Sequence, residues 1–483
     1  MAWELLLQAA PLMGRFVKCT TCISVCAIAL AAATDAGAQP SEPAVVPPID
    51  VPQPTRTMSL PEALAYARQH QPAIRAALSR VNARMAEASI PSGQWLPTIG
   101  ATAQVYGMTS NNTSATFTSP SFMDIPRIGG TPAVTQSTAN LSPYPSTFVG
   151  AGLSQELFDF GRIGAQRAAA DDLVQVEKHS ADAERLDIEL GVGEAYYAVL
   201  AAKAIVRASD DAYDRSRVHR DLAKRGVDSG LRSPIELTRA EADLMRFEVG
   251  RVRARGGLAV AQSVLAAAIG APDAAIDSGE APQQRDMPAL DDALQLARAR
   301  DPVMAQTLAQ LKAAEDRTRA VGALLRPNLL ATATISGRAG GAGVAPAGDG
   351  WAPDVPNWDV GLLLSWPLFD GTISARRDAA AAAERVQHDE IDVVHEQEVA
   401  AVRQTFVQVQ VSRSALVALE NTVVAARANY DQADARFKAG IGNAVELADA
   451  EAVRTDAEIQ LALGQFDLAR SRALFGRAVA EGL

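Results

Sequence analysis

The sequence predicts a mostly α-helical fold with a small β portion, built from a helix–strand–strand–helix unit written twice. Three observations carry this. First, Leu60-Pro-Glu-Ala-Leu64 returns as Leu290-Asp-Asp-Ala-Leu294, 230 residues on (290 − 60), and the register holds through Pro97 and Pro327. Leu157-Phe158-Asp159 returns as Leu368-Phe369-Asp370, and Glu236-Leu237 as Glu446-Leu447. Self-similarity at so long a period marks a duplicated structural unit. Second, four runs of about ten residues alternate apolar with small or polar side chains, the period of a strand. Third, aromatics make up only 5% of a chain rich in Ala and charge, a composition of long helices and not of one thick core.

From the N-terminus, Arg15 and Lys18, the apolar run 19–33 and Ala36-Gly37-Ala38 form the pattern of a cleaved secretory signal over residues 1–38. Met13 is an alternative start, and lipid attachment after cleavage before Cys26 is an alternative to simple processing. Residues 39–57, rich in Pro, Val, Ser and Glu, form an extended leader. A helical pattern begins at Leu60, breaks near Gln71-Pro72 and ends at Trp95-Leu-Pro97.

The strand runs are 98–107, 147–157, the segment from Leu329 to Arg338, and 358–368. In the first, Ile99, Ala101, Ala103 and Val105 share one face, and Thr102 and Gln104 the other. Between the strands of each pair lie loops, 108–146 and 339–357, rich in Ser, Thr, Pro, Asn or Gly, whose length puts them in open solvent. Two helical runs follow, from about Gly161 to Arg225 and from about Gly371 to Phe437. At 1.5 Å per residue each is a rod of about 95–100 Å. Val399, Val402, Phe406, Val409, Leu416 and Val423 mark a near-heptad seam. Tight turns at 227–233 and 438–443 lead to shorter helices, about 234–270 and 444–480, with Ser233-Pro234 and Asn443 as starts.

The formal net charge of −11 argues against nucleic acid as a partner. All three cysteines lie within the signal, so the processed chain offers no disulfide, thiol nucleophile or Cys metal site. His395-Glu396 opens like a zinc-protease motif, but position 399 is Val where the motif needs His. We find no nucleophile, base and orienter set, and no cofactor motif; the chain does not read as an enzyme.

The processed chain has no apolar run long enough for a transmembrane helix. Ten-residue strands, apolar on one face, have the length and pattern of outer-membrane strands. Only a closed barrel satisfies every backbone group in lipid, and four strands cannot close one, so a membrane-spanning form must oligomerise. Aromatics stand where interfacial belts are expected: Trp95, Phe158, Phe160, Trp366 and Phe369 at the helix-side ends, and Tyr106, Phe148 and Trp358 toward the loops. The alternative is a soluble periplasmic coiled-coil or adaptor-like structural protein, for which the charge spread around the long helices also speaks.

Residues 58–480 resemble the TolC-like outer-membrane factor family. The resemblance rests on the Leu-x-x-Ala-Leu openings at Leu60 and Leu290, Leu-Pro at 96–97 and Arg-Pro at 326–327. It rests further on the strand ends at 157–161 and 368–371, and on Arg436-Phe-Lys-Ala-Gly440 followed by Val445-Glu-Leu-Ala-Asp-Ala450. It implies two repeats (58–270 and 290–483) joined by an equatorial linker (271–289). It also implies a homotrimer with a 12-stranded β-barrel in outer-membrane lipid and a long α-helical barrel in the periplasm. The implied partners are a periplasmic adaptor and an inner-membrane transporter, with passive export through the duct. At the periplasmic tip it implies a gate of Glu446, Asp449, Glu236 and Phe437. Adaptor-contact turns are implied at Ser229, Gly230 and Leu231 and at Ala439, Gly440 and Ile441. Gly442 falls where some relatives carry an Arg that ties the gate shut, so the same latch is not expected here.

Overall fold

In a computed structural model of the chain, residues 56–108, 144–282, 286–340 and 357–482 are described. The expected signal (1–38), all but the last two residues of the leader, and most of the two inter-strand loops lie outside them.

The elements run β1 (Arg56–Met58), α1 (Leu60–His70), α2 (Pro72–Ala88), α3 (Ile90–Gly93), β2 (Thr98–Met108), β3 (Tyr144–Phe158), α4 (Arg162–Asp228) and α5 (Pro234–Ala268). Then come β4 (Ile276–Ser278), α6 (Leu290–Arg300), α7 (Pro302–Ala323), β5 (Asn328–Gly340), β6 (Asn357–Ser365), α8 (Gly371–Lys438) and α9 (Ala444–Ala478). Helix, strand, strand, helix thus occurs twice. Local chemistry sets the boundaries. Ser59 and Glu62 form a capping box at α1, with the Ser59 N–H donating to Glu62 Oε2 at 2.9 Å. Pro72 and Pro302 open α2 and α7 at a position where a missing N–H costs nothing. Asp159 accepts from the Gly161 and Ile163 N–H groups at the start of α4, and Asp370 from Thr372 and Ile373 at the start of α8.

The sheet is four-stranded and antiparallel, in the order β2-β3-β5-β6. Its register aligns the apolar positions. Ala101 pairs with Ala151, Ala151 with Ile335, and Ile335 with Trp358, so one face is apolar across all four strands. The other face aligns Thr102, Gly150 and Ser336, and the Thr334 hydroxyl donates to Asp359. Ile99, Val105, Val149, Ile335, Val360 and Leu362, all on the apolar face, are exposed. β6 ends at Ser365, three residues short of the expected 368. Trp366 precedes Pro367, which lacks the N–H a ladder needs.

The helices pack in a matching order. α4 lies between α2 and α5 on one side and α7 and α9 on the other, and α8 packs on α7 and α9. The row (α2, α5), α4, (α7, α9), α8 therefore runs parallel in order to β2, β3, β5, β6. On α8 the buried and half-buried positions repeat at seven residues: Val402, Val409, Leu416, Val423, Tyr430 and Phe437. This is the seam read from the sequence, continued to the helix end.

One feature was not expected. β1 and β4 pair in parallel, Arg56 with Ile276 through Met58 with Ser278, using the last leader residues and the middle of the linker. Lys203 Nζ donates to the Ser278 carbonyl at 2.6 Å and pairs with Asp277, which fixes β4 on α4. Met58, Leu64, Tyr196, Leu265 and Ile276 form the core beneath. Three-residue strands are too short to show a period, and their partners lie more than 200 residues apart.

Candidate functional site at the helical tip

Two turns close the long hairpins, and they are built alike. After α4, the Gly230 N–H donates to the Val227 carbonyl (2.9 Å) and the Leu231 N–H to that of Gly226 (2.9 Å). After α8, Gly440 donates to Phe437 (3.1 Å) and Ile441 to Arg436 (3.1 Å). Gly230 (φ 73°) and Gly440 (φ 77°) take the left-handed conformation this helix-ending motif requires. Leu231 and Ile441, at equivalent positions, are strongly exposed at the two apices.

The turns differ in where they carry an arginine. Positions 226 and 232 correspond to 436 and 442, 210 residues on (436 − 226). In both turns the two positions are in contact, with room for one side chain. A Cβ on Gly226 would lie 2.6 Å from Arg232 Cδ, and a Cβ on Gly442 would lie 2.7 Å from the Phe437 nitrogen. The first repeat has Gly226 with Arg232, and the second has Arg436 with Gly442. Each arginine reaches the glutamate of its own repeat: Arg232 to Glu236 at 3.1 Å and Arg436 to Glu446 at 3.6 Å. An arginine at 442 has no space in this turn.

Arg232 also crosses between the repeats. Its Nη2 donates to the Phe437 carbonyl at 3.1 Å, and its guanidinium lies 3.9 Å from the centre of the Phe437 ring. Behind it, His219 Nε2 and the Tyr430 hydroxyl are hydrogen-bonded at 2.9 Å, joining α4 to α8. Arg215 grips Glu451, only 2% exposed, through Nε at 2.9 and 3.0 Å, joining α4 to α9. Burial, with the charges of Glu451 and Asp434, pushes the Tyr430 hydroxyl up to about 12. Burial is also the main cause that lowers the His219 pKa. Asp434 opposes it, and Lys438 and Arg215 assist it. His219 is therefore neutral at neutral pH.

A cavity of about 410 Å³ lies between the α4/α5 and α8/α9 hairpins. Glu236, Phe437 and Asp449 all line it, so the fold brings together three of the four expected gate residues. Glu446 stands outside it, on Arg436. Phe437 is 3% exposed, packed with Tyr430, Ala433, Leu447 and Ala450. Sequence reasoning missed Arg232, Arg215, His219 and Tyr430. Arg232 was findable as an i, i+4 partner of Glu236; Arg215 and Glu451, 236 residues apart, left no local signal.

At the other end, Trp95, Phe158, Phe160, Trp366 and Phe369 are exposed near the strand–helix junctions, and Trp358 is 75% exposed. Phe148 differs: it is 3% exposed, lies on the face of Gly150 and Ser154, and covers Gly150. The Tyr106 backbone is in β2, and its side chain lies outside the described residues.

The profile of the outer membrane efflux protein family matches residues 63–271 and 293–475, one stretch in each repeat. The chain belongs to that family. It is an outer-membrane efflux protein of the TolC-like kind. It is 29% identical over 241 residues to the fusaric acid resistance protein FusA of Burkholderia cepacia, a match spanning 48% of this chain and 44% of that one. It is 27% identical to protein CyaE of Bordetella pertussis over 82% of this chain and 78% of that one. In fold it is similar to the outer membrane protein VceC of Vibrio cholerae, with a TM-score of 0.69 at 17% identity, covering 88% of this chain and 96% of that one.

Proposed function

We propose that three copies close into a duct that passively exports cargo handed over by an inner-membrane pump through a periplasmic adaptor. The observation that carries this is the coincidence of free edges. Among the described residues β2 and β6 each have one unpaired edge, and the helices flanking them, α2 with α5 and α8, are the two ends of the helical row. Unpaired strand edges are not tolerated in lipid. β6 is antiparallel to β2, so the β6 edge of one copy fits the β2 edge of the next. Two copies would give eight strands, whose interior is filled by side chains; three give twelve and leave a lumen.

The helical edges support the same contact. On the side of α8 away from its buried seam, Val386, Val393, Val407, Val411, Val417 and Val424 are all exposed. The opposite edge exposes Leu78 and Met85 of α2 and Met245, Val249, Val260 and Val264 of α5. Such a stripe on a long helix calls for a partner. The repeats 58–270 and 290–483 each supply one edge, with 271–289 between them at the equator. The exposed Leu231 and Ile441 turns, with Ser229, Gly230, Ala439 and Gly440, are the surfaces offered to the adaptor. Glu236, Glu446, Asp449 and Phe437 are the candidate gate residues at the periplasmic tip.

The test is the mass of the detergent-extracted protein, with conductance in planar bilayers. The wild type should be three chains and conduct. Val407→Glu with Val417→Glu should give single chains that do not. A conducting monomer or dimer would overturn the reading.

A further inference from the structure

A second cavity, of about 570 Å³, lies just below the sheet, where α4, α7 and α8 meet the strands. Its charged lining is three arginines, Arg319, Arg326 and Arg377, with no carboxylate among the lining groups. Its floor is glycine: Gly161, Gly164 and Gly322, where an added Cβ would meet nothing within 4 Å. The level is fixed by the chain. Gly161 follows β3 by three residues, and Arg326 precedes β5 by two. Exposed Phe158, Phe160, Trp366 and Phe369 stand at the same junctions.

The arginines are only partly committed. Arg326 donates to the Phe160 carbonyl at 3.0 Å, which turns its side chain toward the strand end. Arg319 pairs with Asp316 of its own helix. Arg377 makes no ion pair or hydrogen bond with another described residue. Three guanidiniums against two neighbouring carboxylates, Asp316 and the buried Asp159 that accepts from the Gly161 N–H, leave net positive charge over an open, glycine-floored space. Guanidinium forks match phosphate oxygens, and aromatic side chains collect at the headgroup level of a bilayer. Basic pockets at that level hold anionic lipid headgroups.

We propose that this cavity binds the phosphate headgroup of an anionic phospholipid in the leaflet facing the periplasm, an inference that rests on the sheet being the membrane-spanning part. Each copy then carries one lipid at its strand–helix junction. Glycines keep the space free for the phosphoryl group, and the arginines hold it by charge-assisted hydrogen bonds.

The experiment is native mass spectrometry of the protein released from nanodiscs of phosphatidylcholine with a minority of phosphatidylglycerol. The wild type should retain phosphatidylglycerol in preference. Replacing all three arginines (R319Q, R326Q, R377Q) should weaken retention about tenfold. Gly164→Leu with Gly322→Leu, which fills the space and leaves the charges, should do the same. Arg377→Lys, which keeps the charge and loses the fork, should fall between. Unchanged retention in both the arginine and the glycine variants would overturn the site. Glycerol phosphate titrated into the detergent-solubilised protein separates the sources. Binding as tight as the lipid's would overturn the lipid assignment in favour of a free phosphate. A protein that enters bilayers and conducts, yet shows no headgroup preference, sinks this site alone. One that enters no bilayer sinks the membrane reading as well.

Discussion

Arg232 holds Phe437 twice, through the ring at 3.9 Å and through the backbone carbonyl at 3.1 Å. One side chain in the turn of the first repeat thus fixes the end of α8 in the second. Its own partner Glu236 lines the same cavity as Phe437. The two hairpins are pinned to each other at the tip by this contact, and by His219–Tyr430 and Arg215–Glu451 further along.

Removing that pin should loosen the tip. A largely buried cation–π contact and a hydrogen bond from a charged donor are together worth about 1–2 kcal/mol. Arg232→Ala should therefore raise the open-to-closed ratio by about 5- to 30-fold, seen as a higher open probability in single-channel records. Arg232→Lys should recover only part of the closure, since lysine cannot stack and donate as a planar fork. A wild-type open probability in Arg232→Ala would mean the contact is incidental.

The acids at the tip should not contribute equally. Glu236 and Glu446 are each held by an arginine, whereas Asp449 makes no ion pair among the described residues. Three copies of Asp449 would attract cations at the mouth, as acidic rings do in cation channels. Asp449→Ala should reduce cation preference and block by a trivalent cation more than Glu446→Ala does. Equal effects, or none, would show that these residues only favour the start of α9 through its dipole.

Acid should weaken the tip through His219. Its folded pKa lies below the free value of about 6.5, so the folded state prefers it neutral. The stability it contributes is present above the unfolded pKa and is lost as pH falls through the folded one. Protection of the amides at 226–233 and 438–443, corrected for the intrinsic pH dependence of exchange, should fall as pH drops below about 6.5. His219→Asn, which cannot take up the proton, should flatten that dependence. A dependence unchanged by the substitution would assign it to other groups.

Glu398 has the opposite sign. Its side chain is 3% exposed, and neither carboxylate oxygen has a hydrogen-bond partner among the described residues. Burial, then Asp301, raises its pKa, against His395 and Arg298. The folded state therefore binds the proton more tightly, and the ionised form costs stability as pH rises through the folded pKa. Glu398→Gln should raise the melting temperature at pH 8 by a few degrees, about 1 kcal/mol, and by less as the pH is lowered. A lower melting temperature at pH 8 would show that the carboxylate is paired after all.

The repeat, the order and type of the long elements and most of their ends were legible in the sequence; the end of β6, at Ser365 and not 368, was not. These rest on local physics: the 3.6 and 2.0 periods, the break at Gln71-Pro72, Ser233-Pro234 and Asn443 as helix starts, and the tight turns at 227–233 and 438–443. The alternation in 98–107 also told which strand face is apolar. What depends on elements meeting came from packing. It put Ile99 opposite Leu153 and Ile335 opposite Trp358, turning four separate alternations into one continuous face. It paired β1 with β4, turned Phe148 away from the exposed apolar side, and set Arg232 on Phe437. It also gathered Glu236 and Asp449 around one cavity and left Glu446 outside. These contacts join residues tens to hundreds of positions apart. Their energy depends on side chains brought close by packing, which no local period encodes.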